Sequence, residues 1–190
     1  MICEDLSFKH ICKTCQNELL KPSLYKRKIL GKIPVYSFYK YQDIEPLLLT
    51  KHTDLGYYIY TILANNSFLP FSKTFTYDKV VCALSVDDHV KSGYSHTAIL
   101  NKALKSSIIH PRYSKLRAES KISYSGKDYQ FRLLHPRKFK LKDFNEEDVI
   151  LVDDIITTGL TLTQAVTSLE AQGKNMLFCV TLADAGQNRL

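Results

Sequence analysis

Val149-Ile150-Leu151-Val152-Asp153-Asp154-Ile155-Ile156-Thr157-Thr158-Gly159-Leu160-Thr161 joins an unbroken apolar run to an acidic pair and a threonine-rich turn. Four consecutive apolar residues suit a strand covered on both faces rather than one with a solvent side. Beyond the turn, Leu160, Leu162, Ala165, Val166 and Leu169 recur at helical spacing until Gly173 offers a C-terminal stop. The segment predicts strand, turn and helix, with the acidic pair on the strand-to-helix turn. At a helix start, free N–H groups and the positive end of the dipole attract an anion. Thr157, Thr158 and Thr161 add hydroxyl donors, Gly159 permits close backbone approach, and Asp153 and Asp154 are suited to accept from sugar hydroxyls. A sugar phosphate satisfies both halves.

The same strand-then-helix pattern recurs upstream. Val80-Val81-Cys82-Ala83-Leu84 reads as a strand, followed by a polar loop through Gly93 and a helical pattern in Ala98, Ile99, Leu100, Ala103 and Leu104. Ile33 to Tyr41 alternates like a strand, and helices are expected over Ile44 to Leu49 and Tyr57 to Leu63, joined near Gly56. Hairpin strands are expected around Ile122-Ser123-Tyr124 and Tyr129-Gln130-Phe131, and a last strand over Met176 to Leu182. Alternating strands and helices predict an α/β fold with a mostly parallel twisted sheet flanked by helices and right-handed crossovers. Ligands of such sheets collect at the carboxyl ends of strands, so the loop after Leu84 is expected beside the loop after Val152.

At 190 residues and 45% hydrophobic content, the chain suits one substantial globular domain with a small appendage. No stretch approaches the roughly 18 to 20 apolar residues of a membrane span. The opening Met1-Ile2-Cys3-Glu4-Asp5 lacks the basic-then-apolar order of a secretory signal, so the expected location is cytoplasmic. The net charge of +7 is unevenly spread: residues 102–142 carry twelve Lys or Arg against Glu119 and Asp128, a local charge of +10. A concentrated basic patch points to a polyanion such as pyrophosphate, nucleic acid or an anionic membrane surface. Cys12-x-x-Cys15 places two thiols on one tight turn, and Cys3 adds a third, which suggests zinc over a redox pair. His10 is the nearest candidate for a further ligand, and Cys82 and Cys179 read as small apolar residues of core strands. With Lys26-Arg27-Lys28 taken as a charged connection, the expected division is a cysteine module at 1–30 and the main domain at 31–190.

Two acids followed by Thr-Thr-Gly-x-Thr after an apolar strand resemble the PRPP-binding signature of type I phosphoribosyltransferases. The resemblance implies that Asp153 and Asp154 bind the ribose 2′ and 3′ hydroxyls and that Thr157, Thr158, Gly159, Leu160 and Thr161 hold the 5′-phosphate. It further implies that the loop after Leu84, with Asp87, Asp88 and Lys91, faces pyrophosphate. Magnesium would sit with Asp153 and Asp154, while a flexible basic loop bearing Lys115, Arg117 and Lys121 closes over the leaving group. Thr157 stands where 6-oxopurine phosphoribosyltransferases place an acidic residue, which leaves the acceptor unnamed.

Lys91-Ser92-Gly93-Tyr94-Ser95-His96, Leu116-Arg117-Ala118-Glu119-Ser120, Arg132 and His135-Pro136-Arg137-Lys138-Phe139 resemble stretches of ComF-type competence proteins, as does the cysteine-bearing start. That resemblance implies a part in natural transformation, acting on incoming single-stranded DNA at the cytoplasmic side of the inner membrane, with peripheral contact to the uptake machinery. Arg112, Lys115, Arg117, Arg132 and Arg137, interleaved with aromatic rings, are the expected phosphate contacts. Three readings stay open: a DNA-handling competence protein that binds PRPP, an active phosphoribosyltransferase, and a zinc-module adaptor with a vestigial nucleotide site.

Overall fold

The computed structural model describes residues 10–86, 93–118 and 138–186. In chain order its first half holds α1 (Lys13–Leu19), β1 (Tyr25–Ile29), β2 (Ile33–Lys40), α2 (Tyr41–Leu48), a 3-10 turn (Leu49–His52), α3 (Asp54–Asn66) and α4 (Phe68–Thr74). The second half holds β3 (Val81–Ser85), α5 (His96–Ala103), β4 (Ile109–Arg112), β5 (Leu116–Ala118), β6 (Phe139–Leu141), β7 (Asp148–Ile156), α6 (Leu160–Glu170) and β8 (Asn175–Asp184). Six strands form one sheet in the order β1-β2-β8-β7-β3-β4, while β5 and β6 pair separately. Within the large sheet β1–β2 is antiparallel and the remaining pairings are parallel, as the alternation of strands and helices predicts.

The middle stretches of the central strands, Val81–Leu84 of β3 and Val149–Val152 of β7, are apolar because both faces are covered. Ile150 and Val152 of β7 join Val81 and Ala83 of β3 and Val180 and Leu182 of β8 in a core that includes Tyr60, Leu63, Phe68 and Leu100 from the helices. On the opposite face Val149 and Leu151 meet Cys82, Leu84 and Cys179, closed by Leu162, Ala165, Val166 and Leu169 of α6 and by Leu116 of β5. Each fully buried aliphatic side chain contributes about 1.5–3 kcal/mol relative to exposure. From β3 the chain leaves through α5 toward β4, and from β7 it leaves through α6 toward β8. The helices lie on opposite faces, so the connections diverge between β3 and β7 and open a crevice at the strands' carboxyl ends.

Several expectations need correction. The apolar strand does not stop before the acidic pair: β7 pairs with β8 through Asp153↔Thr181, Ile155↔Ala183 and Ile156↔Asp184, so both acids belong to the strand. Gly56 is not a joint between helices but lies inside α3; the joint is the 3-10 turn, and Thr53 Oγ1 accepts from the Gly56 amide to cap α3. Lys26-Arg27-Lys28 is not a connection but the middle of β1, paired with Tyr36, Val35 and Pro34. The sheet thus crosses the division expected at residue 30, and Ile11, Cys12, Cys15 and Leu20 pack into the main core with Phe38 and Tyr39. The hairpin expected at Ile122–Tyr124 and Tyr129–Phe131 lies outside the described residues. Among the described residues, no helix is long and apolar enough to cross a membrane.

Candidate functional site

The end of β7 turns at Thr157 and Thr158, both exposed, into Gly159, which has φ +80° and precedes the first residue of α6. That backbone angle favours glycine, and a Cβ there would lie 2.9 Å from Ile29 Cγ2. Glycine has no side chain to cap α6 and the first turn carries no acid, so the helix start keeps its positive character. The Leu160 amide reaches Thr158 Oγ1 at 3.4 Å, at the edge of hydrogen bonding.

The two acids differ sharply. Asp153 is half-buried, and one of its oxygens accepts from the Asp154 amide at 2.8 Å. Asp154 is buried, its Oδ1 accepts from the Ile155 amide at 2.8 Å, and its Oδ2 accepts from Lys51 Nζ at 3.1 Å and lies 3.2 Å from His96 Nε2. Burial alone would raise this carboxyl, but hydrogen bonding and charge from His96, then from Lys51, outweigh it and hold the group well below the usual carboxylate range. Tyr60 is fully buried, and its ring lies 5.4 Å from that of His96. Burial first, then the negative charge of Asp154, raises its pKa, so the phenol stays protonated.

Local sequence explains how those partners arrive. Ser95 caps α5 by accepting from the Ala98 amide at 3.2 Å, which makes His96 the first helical residue. Thr97 donates to the Val86 carbonyl at 3.2 Å, and buried Asn101 donates to the carbonyls of Ala83 and Arg112, both at 3.1 Å, stapling α5 to β3 and β4. Lys51 comes from the 3-10 turn, whose backbone is held by the Tyr94 hydroxyl: Lys51 O lies 2.9 Å and Thr53 O 3.0 Å from it. Gly56 makes room for this contact, since a Cβ there would stand 2.2 Å from both the Tyr94 hydroxyl and Thr50 O.

Lys51 and His96 as partners of Asp154 escaped the sequence reading, as did Arg27, whose Nη2 donates to the Thr157 carbonyl at 2.6 Å. Asp87, Asp88, Lys91, Lys121, Arg132, Arg137 and Cys3 lie outside the described residues. Arg112 and Lys115, expected to meet nucleic acid or a leaving group, are engaged within the fold. Arg112 Nε donates to Glu146 Oε1 at 3.0 Å, with a second contact from Nη2, and Lys115 Nζ donates to the Asp143 carbonyl at 2.6 Å. Arg117 is exposed on β5. Cys12 caps α1 by accepting from the Cys15 amide at 3.3 Å, both residues are buried, and the His10 ring lies 4.4 Å from that of Tyr58. Among the described residues, no three His, Cys, Asp or Glu side chains gather as a metal site. Cys82 and Cys179 are fully buried, and burial pushes the Cys82 thiol up to about 12 and raises Cys179 as well.

Because the folded Asp154 carboxyl is depressed, its stabilisation is present above the ordinary value of 3.8 and is lost as pH falls through the folded value. Asp154→Asn should therefore cost about 2 kcal/mol by urea unfolding at pH 7, where hydrogen bonds to a charged group are lost. The cost should shrink below about pH 4, and an equal cost at about pH 2.5 would contradict the ion cluster.

Residues 112–190 match the family model described as the phosphoribosyl transferase domain, a stretch that contains β7, the turn and α6. No curated protein matches the chain. Among solved structures, a hypoxanthine phosphoribosyltransferase from Staphylococcus aureus is 18% identical, with 66% of this chain and 62% of that chain covered and a TM-score of 0.41. A hypoxanthine-guanine phosphoribosyltransferase from Bacillus anthracis is 22% identical, with 68% and 71% covered and a TM-score of 0.44. A hypoxanthine phosphoribosyltransferase from Trypanosoma cruzi is 18% identical, with 66% and 65% covered and a TM-score of 0.40. The chain thus spans under two thirds of the Staphylococcus aureus protein, and its similarity to the phosphoribosyl transferase domain family rests on residues 112–190.

Proposed function

We propose that the chain is a phosphoribosyltransferase-like protein that binds PRPP with magnesium in the crevice at the ends of β3 and β7. The observation that carries this reading is the acidic end of β7 running through Gly159 into an uncapped helix start, inside the stretch that matches the phosphoribosyl transferase domain. In this reading the 5′-phosphate meets the N–H groups and hydroxyls of Thr157 through Thr161. Asp153 accepts from the ribose hydroxyls. Asp154 already accepts from the Ile155 amide and Lys51 and lies beside His96, so it has little acceptor capacity to spare and serves mainly to fix the strand end.

Magnesium commonly takes one or two protein carboxylates with its other ligands from phosphate and water, and the half-buried Asp153 fits that role better than Asp154, which faces Lys51 and His96. When bound, the ion neutralises charge on the pyrophosphate. Thr157 offers no carboxylate for proton abstraction, which argues for PRPP binding outside purine salvage.

PRPP with magnesium should raise the melting temperature, since a ligand at 100 times its Kd adds about 2.7 kcal/mol. Asp153→Ala should remove the shift while folding normally. An unshifted unmutated protein, or a full shift in Asp153→Ala, would overturn the reading.

A second role, handling single-stranded DNA during natural transformation at the inner membrane, draws on the ComF-type resemblance and on the +10 segment, where Arg117 is exposed. With Arg112 and Lys115 engaged internally, the reading leans on Arg117 together with Arg132 and Arg137. Oligonucleotide affinity should fall steeply with salt, and Arg117→Glu should weaken it while lowering the slope by about one unit. Unchanged affinity in that variant counts against the assignment.

Zinc is assigned to the N-terminal segment through Cys12 and Cys15, with Cys3 as a further thiolate; the Cys15 amide bonded to Cys12 sulfur is compatible with a thiolate ligand. Purified protein should carry about one zinc per chain, lost in Cys12→Ser. Metal-free protein of full stability would end this assignment.

A further inference from the structure

We infer that Arg27 is a positioning residue that sets the Thr157–Thr161 turn in its anion-accepting form, acting through the Thr157 carbonyl. The inference rests on the PRPP reading above. Arg27 lies on β1, at the sheet edge, with β2 and β8 between it and β7. Its side chain nevertheless spans the ends of both β7 and β8. Nη2 donates to the Thr157 carbonyl at 2.6 Å, and Nη1 lies 3.4 Å from Asp184 Oδ1, which also accepts from the Gly186 amide at 2.7 Å.

Peptide geometry converts that grip into an orientation. A trans, planar peptide points its C=O and the following N–H in opposite directions, and no cis peptide occurs in the described residues. Fixing the Thr157 carbonyl toward Arg27 therefore turns the Thr158 N–H away from β1. A loose Thr157 carbonyl would be free to swing toward a bound phosphate and repel it. Arg27 also neutralises buried Asp184, a carboxylate that would otherwise oppose an anion beside the turn.

The slot for the guanidinium is closely shaped. A Cβ on Gly186 would lie 2.1 Å from Arg27 Nη1, and one on Gly159 would lie 3.8 Å from Nη2. Two glycines thus flank the cation where β7 and β8 end. Lysine, with a single ammonium, cannot reproduce a hold that uses both terminal nitrogens of a planar fork.

Calorimetric titration with ribose 5-phosphate, PRPP–magnesium and pyrophosphate–magnesium tests the role. Arg27→Gln should weaken the first two by about tenfold and leave pyrophosphate within about twofold, because the fault lies at the 5′-phosphate end. Gly186→Ala, whose Cβ would crowd Arg27 Nη1 at 2.1 Å and the Thr157 carbonyl at 3.1 Å while leaving the charge in place, disturbs the same contact and should reproduce that pattern, and Arg27→Lys should recover only part of the loss. Should Arg27→Gln fail to fold, the comparison passes to Gly186→Ala. The inference is overturned if the folded variants bind ribose 5-phosphate as the unmutated protein does, or if pyrophosphate binding falls equally. An unmutated protein that binds none of the three ligands overturns the PRPP reading itself.

Discussion

A carboxylate inside the packed end of a parallel sheet is tolerated only when donors from elsewhere meet it, and Asp154 imposes that condition on the whole helical side of the molecule. Lys51 must arrive from the turn after α2, and His96 from the first residue of α5. Those two demands fix the 3-10 turn and the start of α5 against the end of β7. The Tyr94 hydroxyl then holds the end of the turn through the carbonyls of Lys51 and Thr53, while Gly56 lets α3 come close enough for the contact. Its half-buried neighbour Asp153 completes the acidic end of β7.

The central strand and the helix after it were legible because their signals are local. An unbroken apolar run demands burial on both faces, and the spacing from Leu160 to Leu169 demands one buried helical stripe. Lys51 and Asp154 are 103 residues apart, and Arg27 and Thr157 are 130 apart, so no window of sequence carries either pairing. Arg27 was hidden by charge: three consecutive cations read as a connection between two units. Yet Tyr25, Arg27 and Ile29 alternate with exposed Lys26 and Lys28, and that period of two was the available signal for a strand.

Counting charge also leaves out what Arg112 and Lys115 hold within the fold. Counting cations gives a patch, but a cation near a strand end is as easily used by the fold. Glu146 and the Asp143 carbonyl, both beyond the counted segment, take these two. The cysteine segment shows a similar limit: composition suggests an appendage, whereas Cys12, Cys15 and Leu20 are buried in the main core and the Tyr39 hydroxyl donates to the Leu20 carbonyl at 2.9 Å. Any metal on those thiols would therefore be joined directly to the stability of the sheet.

The sheet's two outer strands carry a further implication. Edge strands invite pairing with other chains unless something blunts them. Here β1 presents Lys26 and Lys28 to solvent, and β4 contains Pro111, which lacks an N–H to offer. Charge repels a neighbour at one margin and a missing donor interrupts a ladder at the other. Growth of this six-stranded sheet from copy to copy is therefore disfavoured at both ends.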